Sequence, residues 1–172
     1  MKKLLKTGIV SAVIAVIVAV CAMLGGCSSP KTFSKAGMSI TLNSKFNEQT
    51  IVTQTVYYVS MDSVVTGLKE EFTLMTGLKD YTIDRYTSMV LNNNSLTATV
   101  NTREGKDYRW FTYTKEVNGR NYFYLATTHK ASDAFWLIQF GCDVSDEGKF
   151  TDIFLGWADS VTFSSTQTGT AV

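Results

Sequence analysis

Asp107–Cys142, DYRWFTYTKEVNGRNYFYLATTHKASDAFWLIQFGC, is the stretch on which the fold turns. Near its centre Asn118-Gly119 separates two runs rich in aromatic and β-branched residues; a type I′ turn needs positive φ at both central positions, which this pair adopts readily. A two-residue hairpin is therefore predicted, with Val117 opposite Arg120, Lys115 opposite Tyr122, Tyr113 opposite Tyr124 and Phe111 opposite Ala126. Side chains alternate across a strand, so Trp110, Thr112, Thr114, Phe123, Leu125 and Thr127 fall on the second side, with Tyr108 opposite His129. A tight turn at Ala131-Ser132 brings back Asp133–Cys142, whose Trp136, Ile138, Phe140 and Cys142 join that second side. The second side is the expected main core.

Downstream, Ser145 is placed to cap a helix carrying Asp146 and Glu147 in its first turn, and Phe150, Ile153, Phe154 and Trp157 follow at helical spacing. Val161 and Phe163 make a short closing strand, and 164–172 is a small, polar tail. Upstream, Leu96, Ala98 and Val100 alternate with threonines as one more strand. Thr82 caps a helix to Asn92, with Asp84 at the positive end of its dipole and Ile83, Tyr86 and Val90 along one stripe. Earlier still, Met38, Ile40 and Leu42 alternate in a strand, Asn43–Gln49 is a polar loop or a single helical turn, and Val56–Val59 and Ser63–Leu68 are two further strands joined at Met61-Asp62. Glu70–Lys79 fits no single period, with Gly77 as a stop. Strands, helix, a meander of strands, helix and last strand predict an α+β fold, an antiparallel sheet flanked by helices.

The first 27 residues have a different character. Lys2, Lys3 and Lys6 precede an apolar run from Ile9 to Leu24 broken only by Ser11, and Leu24-Gly25-Gly26-Cys27 ends it with small residues before a cysteine. This is the layout of a secretory signal. It resembles the bacterial lipoprotein signal, with Leu24, Gly26 and Cys27 at its strongest positions and Gly25 a less usual occupant of the second. The resemblance implies cleavage before Cys27, a diacylglyceryl group on its thiol, and two or three palmitate-like chains that hold the protein to the extracytoplasmic face of the cell membrane. The alternative is an uncleaved anchor, since Thr7–Leu24 approaches the length of about 20 residues that spans a bilayer. Ser28 is not the aspartate that the family uses for inner-membrane retention.

The expected organisation is a signal peptide at 1–26, a lipidated tether at 27–34, a single domain at 35–163 and a tail at 164–172. Cleavage leaves 172 − 26 = 146 residues, one domain's worth, with 16 − 3 = 13 Lys and Arg against 15 Asp and Glu. That balance, without basic clusters, argues against a nucleic-acid partner. Of three cysteines Cys21 leaves with the signal and Cys27 carries lipid, so Cys142 stands alone and no intrachain disulfide is expected.

Phe33–Leu42 (FSKAGMSITL), Phe135–Phe140 (FWLIQF) and Phe154–Phe163 (FLGWADSVTF) resemble the PsbP-like α/β/α sandwich, which includes small bacterial lipoproteins. The resemblance spans most of 33–163 and rests on core positions, so it implies a fold and, for function, only that members mostly bind proteins or sit at envelope surfaces.

Chemistry-bearing residues are few. His129 is the only histidine, and a hydrolase using it would need a nucleophile and an orienting carboxylate nearby; its place at a strand end opposite Tyr108 favours a partly exposed loop-flanking residue. Cys142 sits on the apolar side and reads as a small hydrophobe rather than a nucleophile. Asp143, Asp146, Glu147 and Asp152 match no calcium-loop pattern and suit a helix's first turns, so neither a metal nor a cofactor is expected. The candidate binding surface is Tyr113, Lys115, Tyr122 and Tyr124 with Gln139 of the next strand, unless a helix covers it. The reading is a lipid-anchored cell-envelope protein that binds another envelope protein and catalyses nothing; the alternatives are a small-ligand carrier, which needs a concave aromatic pocket of about 300–1,000 Å³, and the His129 hydrolase.

Overall fold

A computed structural model describes residues 29–164, so the signal segment, Cys27 and most of the tail lie outside the described residues. Two antiparallel sheets form. The smaller contains β1 (Pro30–Lys35), β2 (Met38–Asn43) and β10 (Thr162–Phe163), in the order β1-β2-β10. The larger has seven strands: β3 (Asn47–Glu48), β4 (Val56–Val59), β5 (Ser63–Glu71), β6 (Asn101–Thr102), β7 (Arg109–Val117), β8 (Arg120–Lys130) and β9 (Ala134–Asp143). Their spatial order is β3-β4-β5-β9-β8-β7-β6, and two helices, α1 (Ile83–Asn93) and α2 (Glu147–Asp159), pack on it.

The predicted hairpin is found in its predicted register. Asn118 and Gly119 have φ of 52° and 77°, and Val117, Lys115, Tyr113 and Phe111 face Arg120, Tyr122, Tyr124 and Ala126. The register fixes both faces of the sheet. One face contributes Phe123, Leu125, Trp136, Ile138, Phe140 and Cys142 to the larger core, closed by Phe150, Phe154, Leu155 and Ala158 of α2 and by Met38, Ile40 and Leu42 of β2. The other face contributes Phe111, Tyr113, Tyr124, Ala126, Phe135 and Leu137, closed by Tyr86, Val90 and Leu91 of α1. The α+β sandwich read from the sequence is therefore the observed architecture.

Several local expectations change. β1 begins at Pro30, inside the stretch expected to be tether, because its backbone pairs with β2 from Pro30↔Asn43 onward. Leu96 and Ala98 do pack inward, but ladder pairing on that edge is confined to Asn101–Thr102. Phe46, placed in a polar loop, is fully buried and meets the Trp157 ring edge-on at 5.2 Å. Asp143, not Ser145, makes the cap before α2: its carboxylate accepts from Ser145 N at 3.0 Å and from the Ser145 hydroxyl at 2.8 Å. The turn Val144–Asp146 intervenes, and α2 is rotated so that Leu155 and Ala158 are buried and Ile153 is 39% exposed. At α1 the expected cap holds, with the Thr82 hydroxyl accepting from Arg85 N at 3.2 Å. Among the described residues no helix is long and apolar enough to cross a membrane.

Candidate functional site

Tyr113, Tyr122, Tyr124 and Gln139 share one face of β7, β8 and β9, as the hairpin register requires, but they do not form an open surface. All four are buried, and Lys115 is half-buried. Tyr113 and Tyr124 stack at 5.0 Å between centroids, and the Tyr113 hydroxyl donates to Gln139 Oε1 at 2.6 Å. Burial holds the Tyr113 phenol well above its ordinary pKa. The Tyr124 ring lies over Gly141, where a Cβ would come within 2.8 Å of it. Met89, Leu96, Ala98 and Val117 pack against the same cluster, so the expected binding surface is a closed polar-aromatic layer. Sequence alternation places residues on a face; it does not show which segment will lie over that face.

Tyr122 reaches the end of this layer. With Met61, Asp62, Arg120, Asp143 and Ser145 it lines a cleft of about 310 Å³ where the β4–β5 turn, the β7–β8 turn and the entry to α2 converge. Met61 is 41% exposed and Val144 37%, and the Arg120 guanidinium lies 5.9 Å from the Tyr122 ring. Arg120 also pairs with Asp143 at 3.2 Å. The Ser145 amide and hydroxyl, then Arg120, hold the Asp143 carboxyl below its usual pKa. Cys142 forms the floor, buried, its thiol pushed up to about 12 by burial and by Asp146, Asp143 and Glu147 nearby; no nucleophilic thiolate is present at neutral pH. Among the described residues no three histidine, cysteine or carboxylate side chains converge as a metal site.

His129 is a core residue within β8, not a partly exposed one. Its Nε2 and Thr127 Oγ1 are 2.9 Å apart, and its ring packs against Tyr108 at 5.1 Å and Phe163 at 5.5 Å. Burial pushes its pKa down to about 3, far below the range in which a general base works at neutral pH. The neighbouring carboxylate, Asp159, is engaged elsewhere. It accepts from Arg103 Nε at 2.8 Å and from the Tyr108 hydroxyl at 2.8 Å, while Lys106 Nζ donates to the Asp159 carbonyl at 2.9 Å. Burial opposes ionisation of Asp159, but the Arg103 and Tyr108 hydrogen bonds outweigh it and hold the carboxyl below its ordinary range. These contacts tie the β6–β7 loop to the C-terminus of α2, where cations are favoured by the helix dipole. The cluster is a structural latch rather than a catalytic arrangement.

The sequence reading missed the polar groups of β5. Lys69, Glu71 and Asp133 border a cleft of about 470 Å³ floored by Trp136 and Phe163, and Lys69 Nζ is bound by Asp133 at 2.7 Å and Glu71 at 3.3 Å. Its charge is neutralised internally, so the volume alone does not favour a ligand carrier. On the other face Glu70 is buried and accepts the Tyr86 hydroxyl. The signal was present as a charged run, Lys69-Glu70-Glu71, continuing an apolar strand.

No protein-family model and no curated protein matches this sequence. Solved structures do match in shape. The cyanobacterial PsbP protein CyanoP of Synechocystis sp. PCC 6803 is similar over 85% of this chain and 98% of its own, with a TM-score of 0.56 and 12% identity. The Saccharomyces cerevisiae Ran-binding protein Mog1p is similar over 80% of this chain and 96% of its own, with a TM-score of 0.51 and 8% identity. A Bacteroides thetaiotaomicron protein is similar over 79% of this chain and 49% of its own, with a TM-score of 0.55 and 13% identity. At these identities the likeness establishes a shared PsbP-like fold and nothing of function.

Proposed function

We propose that this chain is a lipid-anchored protein of the cell envelope, attached through Cys27, whose folded domain binds another envelope protein and catalyses no reaction. The observation that carries the reading is Leu24-Gly25-Gly26-Cys27 standing immediately before an ordered domain whose first strand starts at Pro30. The chemistry inside the domain agrees with it. The only histidine is buried with a depressed pKa, Cys142 is a buried thiol with a raised one, the buried Glu70 is bound by the Tyr86 hydroxyl and the half-buried Asp159 by a guanidinium and a phenol. A similar fold serves a Ran-binding protein, so the architecture is compatible with protein recognition.

The partner-facing patch on this reading is the cleft at the hairpin end, where Met61, Arg120 and Tyr122 combine an exposed apolar side chain with an aromatic ring and a guanidinium. Methionine, tyrosine and arginine are the residue types enriched at protein interfaces. The test is the intact mass of protein extracted from membranes, followed by mild crosslinking and identification of what co-purifies. A chain starting at lipid-modified Cys27 with a reproducible partner, lost in the Met61→Asp, Arg120→Glu double variant, is the expected result. A chain still starting at Met1 overturns the anchor; a crosslinking pattern unchanged in the double variant overturns the patch.

A further inference from the structure

The first described residue is already docked. The Ser29 carbonyl accepts from Ser44 N at 2.8 Å, and Pro30 pairs with Asn43 across β1 and β2. Three peptide steps separate Cys27 from Pro30, which at 3.3–3.6 Å per residue is a reach of about 11 Å at most. A domain of the described size has a radius of gyration of about 14 Å, so it is roughly 35 Å across. The linker is therefore shorter than the radius of what it holds. A lipid on Cys27 keeps the Pro30 corner beside the bilayer, and the far side of the domain cannot swing down to replace it.

Next to that corner lies a groove of about 290 Å³ over the buried Leu42, whose polar rim is Thr41, Asn43 and Ser160 and whose apolar lining is Pro30 with Gly156 and Trp157 of α2. Ile153, one helical turn before, is 39% exposed on the same outward side, and Gly156 is exposed with nothing within 4 Å of where a Cβ would stand. Trp157 is half-buried, with one side of its indole packed on Phe46, Phe140 and Phe154. Tryptophan so placed, with an apolar body and a polar N–H, suits the boundary between headgroups and water. Helix α1 lies on the opposite face of the seven-stranded sheet, because the core residues it covers alternate along β8 and β9 with those that α2 covers.

We propose that the surface made by Pro30, Ile153, Gly156 and Trp157 rests on the headgroup layer of the bilayer that carries the Cys27 lipid, with α1 turned away from it. This rests on the lipid-anchor reading above, and adds an orientation to it. The occupant of the groove is the membrane surface, set there by the length of chain between Cys27 and Pro30.

The test uses the full chain, processed in cells and reconstituted in phosphatidylcholine vesicles whose lipids carry a nitroxide near the headgroup. A fluorophore is attached at Ile153→Cys on α2 or, for comparison, at Ser88→Cys on the exposed side of α1; Cys142 is buried and does not compete for label. Quenching at position 153 is expected to exceed that at 88 by threefold or more. Adding Gly156→Glu, which places a carboxylate into open space at the groove, is expected to lower quenching at 153 at least twofold, with the circular dichroism spectrum unchanged. Equal quenching at the two positions, or no effect of Gly156→Glu, in a sample whose mass shows lipid on Cys27, overturns the orientation alone. A chain whose mass shows no lipid on Cys27 overturns the anchor and the orientation together.

Discussion

On the α2 face of the large sheet the rings of Phe123, Phe140, Phe150 and Trp157 all converge on Phe154, at 5.2 to 6.4 Å between centroids. On the α1 face the helix meets the sheet through hydroxyls as well as rings. Tyr86 stacks on Phe135 at 4.2 Å while its hydroxyl donates to Glu70, the Thr87 and Thr128 hydroxyls lie 2.6 Å apart, and Tyr113 reaches Gln139. The two faces are closed by different physics. Dispersion and area burial, which are non-directional, hold the first. Directional bonds hold the second, where a donor moved by an ångström leaves a buried acceptor unsatisfied.

The largest effect should come from the first face. Phe154→Ala removes the ring that four others share and is expected to cost about 3–5 kcal/mol in denaturant unfolding. A loss near 1 kcal/mol would mean the cluster collapses around the gap and that area is not what holds this face. On the second face Tyr86→Phe keeps the stacking and deletes only the hydroxyl. About 2 kcal/mol should be lost from the same unfolding curves, within the range for removing one partner of a buried hydrogen bond. An unchanged midpoint would erase the contrast between the faces.

His129 supplies a pH-dependent version of the same comparison, since it is a buried group packed against Tyr108 and Phe163 whose protonation changes in the mildly acidic range. Its folded pKa of about 3 lies below the 6.5 of a free histidine, so the unfolded chain binds the extra proton between those values. Stability from this site is fully present above pH 6.5 and falls as pH drops toward 3, with a slope of up to about 1.4 kcal/mol per pH unit. Unfolding curves at pH 6 and pH 5 should differ by about that much more in the parent than in His129→Leu; equal pH dependence would show the imidazole to be hydrated. The smallest effect is a gain. Gly156→Ala on the open side of α2 should stabilise by roughly 0.5–1 kcal/mol, read as a raised melting temperature, because alanine restricts the unfolded chain and meets nothing in the folded one.

The hairpin shows what was readable. Asn118-Gly119 set the register that assigned Tyr124 to its face, and the tight turn at Ala131-Ser132 carried it on to Trp136 and Phe140. The α2 stripe was readable as a helix but not in its rotation, because Ile153 and Leu155 are equally apolar and only contact with β2 and β9 selects between them. The candidate site was read less well. The tyrosines were placed on the correct face, yet their exposure depended on Leu96 and Ala98, well upstream in the chain, packing against them. His129 and Glu70 were misjudged or overlooked for the same reason: a polar residue in a strand looks exposed until its partners, here Thr127 and Tyr86, are known.

Local chain chemistry was enough to determine the strands around the turn, the two helices and the Thr82 cap, since each depends on residues within a few positions of one another. Tertiary structure alone decided which aromatic face is covered, where β1 begins, that Asp143 caps the entry to α2, and that the open cleft lies at the hairpin end. Those outcomes depend on which of two distant segments reaches a given surface, and burial free energy, being non-directional, carries no mark of its partner in the sequence.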